Sequence, residues 1–160
     1  MFDITLIAVG KLKEKFYISA AAEYEKRMSG YCNFRILELQ EFKLSDAPSQ
    51  TEITAGLEKE ADIILSKIPK GAWFCVLTPE GKLLSSEELA KKLSDVKLSG
   101  KSSCCFLIGS SFGISQRIKN MADLKLSMSP MTFPHHLARI MVLEQIYRAE
   151  SIQAGSKYHK

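Results

Sequence analysis

The feature that most constrains this chain is the alternation of short β-branched apolar runs with longer stretches whose apolar residues recur every third or fourth position. Ile4-Thr5-Leu6-Ile7-Ala8-Val9 is too short for a helix and is halted by Gly10, the pattern of a strand buried on both faces. Phe16, Ala20, Tyr24 and Met28 then share one face, predicting a helix from about Lys13 to Ser29 that Gly30 ends. Phe34 and Ile36 to Leu39 read as a second strand, and Phe42 to Gln50, with Pro48, as a loop. Ile53, Leu57, Ala61, Ile64 and Leu65 make a second amphipathic helix closed by Pro69 and Gly71. Trp73 to Leu77 is a third strand, expected to run into a turn-rich loop, Thr78-Pro79-Glu80-Gly81-Lys82. Ser85 and Glu88 form a capping box for a helix carrying Leu89, Leu93 and Val96. Cys104 to Ile108 is a fourth strand; a glycine-bounded segment (Gly109 to Gly113), a short helix, a brief strand near Leu124 to Met128 and a long helix from Pro134 complete the order. Strands alternating with helices predict an α/β domain on a mostly parallel sheet with flanking helices.

At 160 residues this is one domain, spanning 1-160. With 46% hydrophobic and 25% charged residues, disorder is excluded. No apolar run is longer than a strand, and the start lacks a signal-peptide layout, so a soluble, cytoplasmic protein with no membrane span is expected. Cys32, Cys75, Cys104 and Cys105 show no C-x-x-C spacing and read as buried thiols, with neither a metal site nor a disulfide. The net charge is +4, with basic ends and an acidic segment from Glu41 to Asp62, as expected if a polyanion approaches one face; scattered charge that merely keeps a small domain soluble reads equally well.

Open parallel sheets bind ligands at the carboxyl ends of their strands. Thr78 to Lys82, Gly109 to Gly113 and Ser127 to His136 are expected there. G-x-G-x-x-G, G-x-x-x-x-G-K-[ST] and G-x-S-x-G are all absent, which excludes the common phosphate cradles and the hydrolase elbow. A ligand held by main-chain groups and apolar walls fits better, as for an adenosine-bearing molecule without a phosphate chain. Pro134 suits a first helical turn, with Thr132 near its cap. His135 and His136 follow, where the positive end of the helix disfavours charged imidazole, so a neutral ring able to accept a proton is expected. Arg139 lies one turn on, its planar fork suited to a phosphate or a base edge. The bland readings are a capping histidine pair, core methionines and a frayed C-terminal tail.

Several stretches resemble one family. They are Ile7 to Lys13, Ala22 to Arg27, Gly81-Lys82 with Leu84 to Glu87, and Leu107-Ile108-Gly109. Further on come Met131 to His135 with Arg139, Glu144-Gln145, Tyr147-Arg148-Ala149 and Tyr158-His159-Lys160. The chain is similar over its whole length to the ribosomal large-subunit methyltransferase H group of the SPOUT methyltransferases. That resemblance implies a SPOUT fold whose C-terminal part is threaded as a trefoil knot, a homodimer, and S-adenosylmethionine as cofactor. It implies methylation of N3 of a pseudouridine in 23S ribosomal RNA, on an assembled ribosomal particle. By position, Leu77, Gly109, Met128, Ser129, Pro130, Met131, Thr132 and Phe133 would line the cofactor site. His135 would be the base and Arg139 would stabilise the developing anion, while Tyr158 and His159, from the partner subunit, would position the nucleotide. Ser110 stands where the resemblance leads one to expect a second glycine, and Ala154 where it leads one to expect a polar residue. The alternative is a non-catalytic RNA-binding ribosome assembly factor with the same fold.

Overall fold

A computed structural model describes residues 1–160. The elements run β1 (Asp3–Val9), α1 (Lys15–Met28), β2 (Asn33–Leu39), α2 (Gln50–Lys67), β3 (Trp73–Leu83), α3 (Ser86–Leu98), β4 (Ser103–Ile108), α4 (Gln116–Met121), β5 (Leu124–Ser127) and α5 (His135–Gln153). The strands form one sheet in the order β2-β1-β4-β3-β5, and every neighbouring pair is parallel. The expected α/β class is what the structure has.

Burial on both faces explains why β1 and β4 are apolar without a break. Ile4 and Leu6 sit beside Cys104 and Phe106 in register and face a core built with Met28, Leu93, Leu143 and Ile146 of α1, α3 and α5. Ile7, Val9, Cys105 and Leu107 turn to the opposite face, against Ala61 and Ile64 of α2 and Ile118 of α4. The two-residue period of a strand divides one apolar run between two cores. All four thiols are free and buried, and burial pushes those of Cys32 and Cys105 up to about 12. The capping box on α3 forms as expected: Ser85 accepts from the Glu88 N–H, and the Glu88 carboxylate from the Ser85 N–H. No helix is long and apolar enough to cross a membrane.

Two expectations need correction. Thr78 to Lys82 is not a free loop: β3 continues to Leu83, with a register irregularity between Leu77 and Lys82, after which Lys82 pairs with Leu126 and Leu83 with Ser127. Pairing with β4 ends at Val76, so Pro79 lies where no β4 partner needs its missing N–H. Gly81 is there for close approach, because a Cβ at that position would lie 2.6 Å from the Leu126 carbonyl carbon. Pro134 is the cap residue of α5, not its first turn, and no side chain, that of Thr132 included, accepts a capping hydrogen bond from the helix start. Gly81→Ala is expected to lower the free energy of unfolding by about 1–3 kcal/mol, read from urea denaturation, because the chain on both sides is main chain that cannot yield locally. An unchanged midpoint would mean that the β3 tail is not held against β5.

Candidate active site

All five strands point one way, so their following segments collect at one edge. There a cleft of about 400 Å³ opens between the segments after β3, β4 and β5 and the start of α5. Its lining includes Leu77, Gly109 and the whole run Met128, Ser129, Pro130, Met131, Thr132 and Phe133, with His135 at its rim. Residues from three separate parts of the chain that the sequence pattern singled out thus share one cavity.

The walls are apolar and the polar groups are mainly main chain. Ile108, Leu126, Met128 and Phe133 supply the apolar surface. No hydrogen bond between main-chain groups engages Ser129 to Phe133; the Met131 N–H goes to Ser129 Oγ and the Ser129 carbonyl accepts from Ser127 Oγ. The main-chain donors and acceptors of Thr132 and Phe133 therefore remain for a ligand. A cleft of this size, walled in by aliphatic and aromatic side chains with a few main-chain donors, fits an adenosine-bearing molecule. Gly109 keeps its loop closed down, since a Cβ there would come within 2.4 Å of Ile114 and 2.5 Å of the Gly113 carbonyl oxygen. Ser110 is buried and its hydroxyl donates to Glu60 of α2 at 3.1 Å. Burial raises the Glu60 carboxyl, opposed by the Phe42 N–H and the Ser110 hydroxyl that it accepts. At the far side, Lys119 donates to Glu80 at 2.6 Å, and with the Thr78 hydroxyl holds that carboxyl down at about 2. This ion pair ties the β3 tail to α4.

His135 is half-buried at the first position of α5. Desolvation, then the neighbouring His136, push its pKa below the ordinary value, against the opposing pull of Glu41. The ring is therefore neutral at pH 7. His136 turns away, its Nδ1 3.3 Å from a Glu14 carboxylate oxygen at the start of α1.

Arg139 is not in the cleft. It is 2% exposed, donates to Glu38 Oε2 at 2.6 Å and to the Gly10 carbonyl at 2.9 Å, and leaves its Nε buried without a partner. The same Glu38 oxygen accepts from the Leu12 N–H at 3.1 Å. One helical turn does place His135 and Arg139 on one side of α5, but by the second turn that side is pressed on the ends of β1 and β2. Tyr158 and His159 do not line the cleft either. Tyr158 donates to Glu144 at 2.9 Å beneath the Arg148 guanidinium, and His159 Nε2 lies 2.7 Å from Glu87. The tail is docked, not frayed. Glu38, which holds Arg139, carries no mark in the sequence, because an acid on a strand gives no signal of its buried partner; Glu87, which holds His159, appears there only as the end of a family-like stretch.

Comparison with known proteins bears on this geometry. The family model described as "Predicted SPOUT methyltransferase" matches residues 2–159. The chain belongs to the SPOUT methyltransferase family. It is 48% identical over 158 residues to the Clostridium kluyveri protein named "Ribosomal RNA large subunit methyltransferase H", covering 99% of each chain. Proteins of the same name from Clostridium novyi and Clostridioides difficile are 46% and 45% identical, again over 99% of each chain. Among solved structures, a probable methylase family protein from Haemophilus influenzae Rd KW20 superposes with a TM-score of 0.52 at 15% identity, over 99% of this chain and 70% of that one. That likeness concerns the fold alone.

In this SPOUT enzyme the Arg139 guanidinium joins α5 to the carboxyl ends of two strands. Arg139→Met is expected to reduce the free energy of unfolding by about 2–3 kcal/mol, because charge-assisted bonds to Glu38 and Gly10 are lost together. Guanidinium chloride denaturation reads this, and a wild-type midpoint would contradict the assignment.

Proposed function

We propose that this methyltransferase transfers a methyl group from S-adenosylmethionine to N3 of a pseudouridine in 23S ribosomal RNA, acting in the cytoplasm on an assembled ribosomal particle as a homodimer. The observation that carries the reading is full-length kinship with enzymes named for the large-subunit RNA, in a chain whose carboxyl-edge cleft has apolar walls and free main-chain groups. Trefoil threading of the C-terminal part belongs to the same proposal, supported by membership of the SPOUT family.

Bound in the cleft, S-adenosylmethionine would supply an electrophilic methyl carbon on a sulfonium. Leu77, Gly109 and the main chain from Met128 to Phe133 hold and orient that donor. Pseudouridine N3 carries a proton at neutral pH and attacks well only when the proton leaves. The neutral His135 ring, at the rim, takes that proton and keeps it, which leaves N3 free to accept the methyl group that the bound donor would supply, with the thioether as its leaving group. Arg139, buried behind the rim, acts as a positioning residue for the Gly10–Leu12 turn, in place of the anion-stabilising role its spacing suggested. Tyr158 and His159 lie away from their own chain's cleft, and would reach a cleft only from the partner of a homodimer.

The test is methyl incorporation from labelled donor into large-subunit RNA, with mass mapping of the product nucleotide. His135→Ala is expected to slow turnover by about 10²–10⁴-fold while leaving donor affinity near the wild-type value; parallel loss of both would remove the base assignment. A base must be unprotonated, and the His135 pKa is lowered from 6.5, so the rate should fall as pH falls, with the midpoint of that acid limb below 6.5. A midpoint above 6.5 in the acid limb of the pH–rate profile would assign the proton to another group.

A further inference from the structure

The cleft that suits the methyl donor does not show where the acceptor lies. A second cleft, of about 840 Å³, opens on the same edge of the sheet. It lies between the segment after β1 (Gly10 to Lys13), the segment after β2 (Gln40 to Ser45) and Phe112. The strand order β2-β1-β4 sets these segments beside those of the first cleft, and His135 lines both.

Its charge is unbalanced. Lys11, Lys13 and Lys43 line it and are exposed. Of the acids nearby, Glu38 is held by Arg139 and the Leu12 N–H and Glu14 lies against His136, while Glu41, which lines the cavity, accepts only the Ser111 hydroxyl at 3.3 Å and keeps its charge. Three lysines thus face one cavity against a single lining carboxylate, Glu41, that no cation answers, an excess of positive charge that favours a polyanion. The cavity also holds an aromatic surface. Phe42 is packed against α2, with Lys59 Nζ 4.5 Å from its ring centre, and forms a fixed wall. Phe112 is 44% exposed on the Gly109–Gly113 segment, next to the donor cleft. An exposed ring flanked by unpaired lysines is the composition of a site for a splayed-out nucleotide.

We propose that this second cleft holds the acceptor nucleotide of the RNA, with flanking phosphates on Lys11, Lys13 and Lys43, the base stacked on Phe112, and its reacting edge turned to His135 at the shared wall. The inference rests on the methyltransferase reading above. It assigns the two halves of the edge to the two reactants: donor under β3, β4 and β5, acceptor under β1 and β2. The Arg139–Glu38–Gly10 contact then lies directly beneath the acceptor half, holding the lysine-bearing turn in place.

The experiment uses the full chain and large ribosomal subunits from cells lacking this protein. Lys11→Ala/Lys13→Ala/Lys43→Ala is expected to raise KM for the subunits by ten-fold or more, with kcat and S-adenosylmethionine affinity unchanged. It should also make the slope of log affinity against log salt shallower by about 2, since three phosphate contacts at a single strand are removed. Phe112→Ala should raise KM by about ten-fold, and Phe112→Tyr should restore it. Wild-type KM and salt slope in the lysine variant would overturn the proposal, as would a parallel fall in donor affinity, which would place the effect in the first cleft. Filter retention of the same subunits reads the lysines even where no methyl group is transferred, so failure of the enzyme reading and failure of this one are separate results. Retention insensitive to the three lysines refutes the acceptor site alone.

Discussion

The molecule depends on the parallel pairing of β1 with β4, strands buried on both faces at the middle of the sheet. A parallel strand cannot return by a tight turn, so each connection crosses the sheet as a helix and re-enters at the same end. Five strands in one direction therefore bring five carboxyl ends to one edge, and the chemistry-bearing residues lie in the segments that leave them. Both clefts are consequences of that geometry. They are separated only by which strands lie beneath, and they are joined at His135.

The start of α5 shows how the core and the site share one helix. Its first turn is at the surface and presents His135, held neutral by partial burial and by a second imidazole. Its second turn enters the protein with Arg139, whose charge is buried yet answered by Glu38 and the Gly10 carbonyl. A buried guanidinium is tolerated only with such partners, and in exchange it sets where the β1 and β2 ends sit relative to the helix. Further along, Leu143 and Ile146 anchor the same helix in the apolar core. His135 is thus placed by contacts one to three turns away from it.

Most of the elements were legible because apolar spacing reports burial directly. The run Ile4 to Val9 could only be a strand, and Ser85 with Glu88 could only begin a helix, since both signals arise within a few residues. The cleft residues Leu77, Gly109 and Met128 to Phe133 were nameable from the family pattern, and the structure brings them to one cavity. Where local signals misled, the cause lay at a distance. Pro79 and Gly81 carry the marks of a turn, yet β5, more than forty residues later, offers a strand for that segment to join. Tyr158 and His159 sit at a terminus, where fraying is the default, but Glu144 and Glu87 hold them down.

The amino-acid sequence alone determined the α/β class, the order of its elements, the buried thiols and the residue types available at the carboxyl edge, because each follows from contacts between near neighbours or from plain apolar periodicity. The tertiary structure alone decided that Arg139 faces Glu38 and not the cleft, that the β3 tail pairs with β5, and that three lysines outnumber the free carboxylate in one cavity. Those outcomes depend on which distant segments meet, and the energy of a charge depends on its partner and its burial, neither of which a residue's position in the chain specifies.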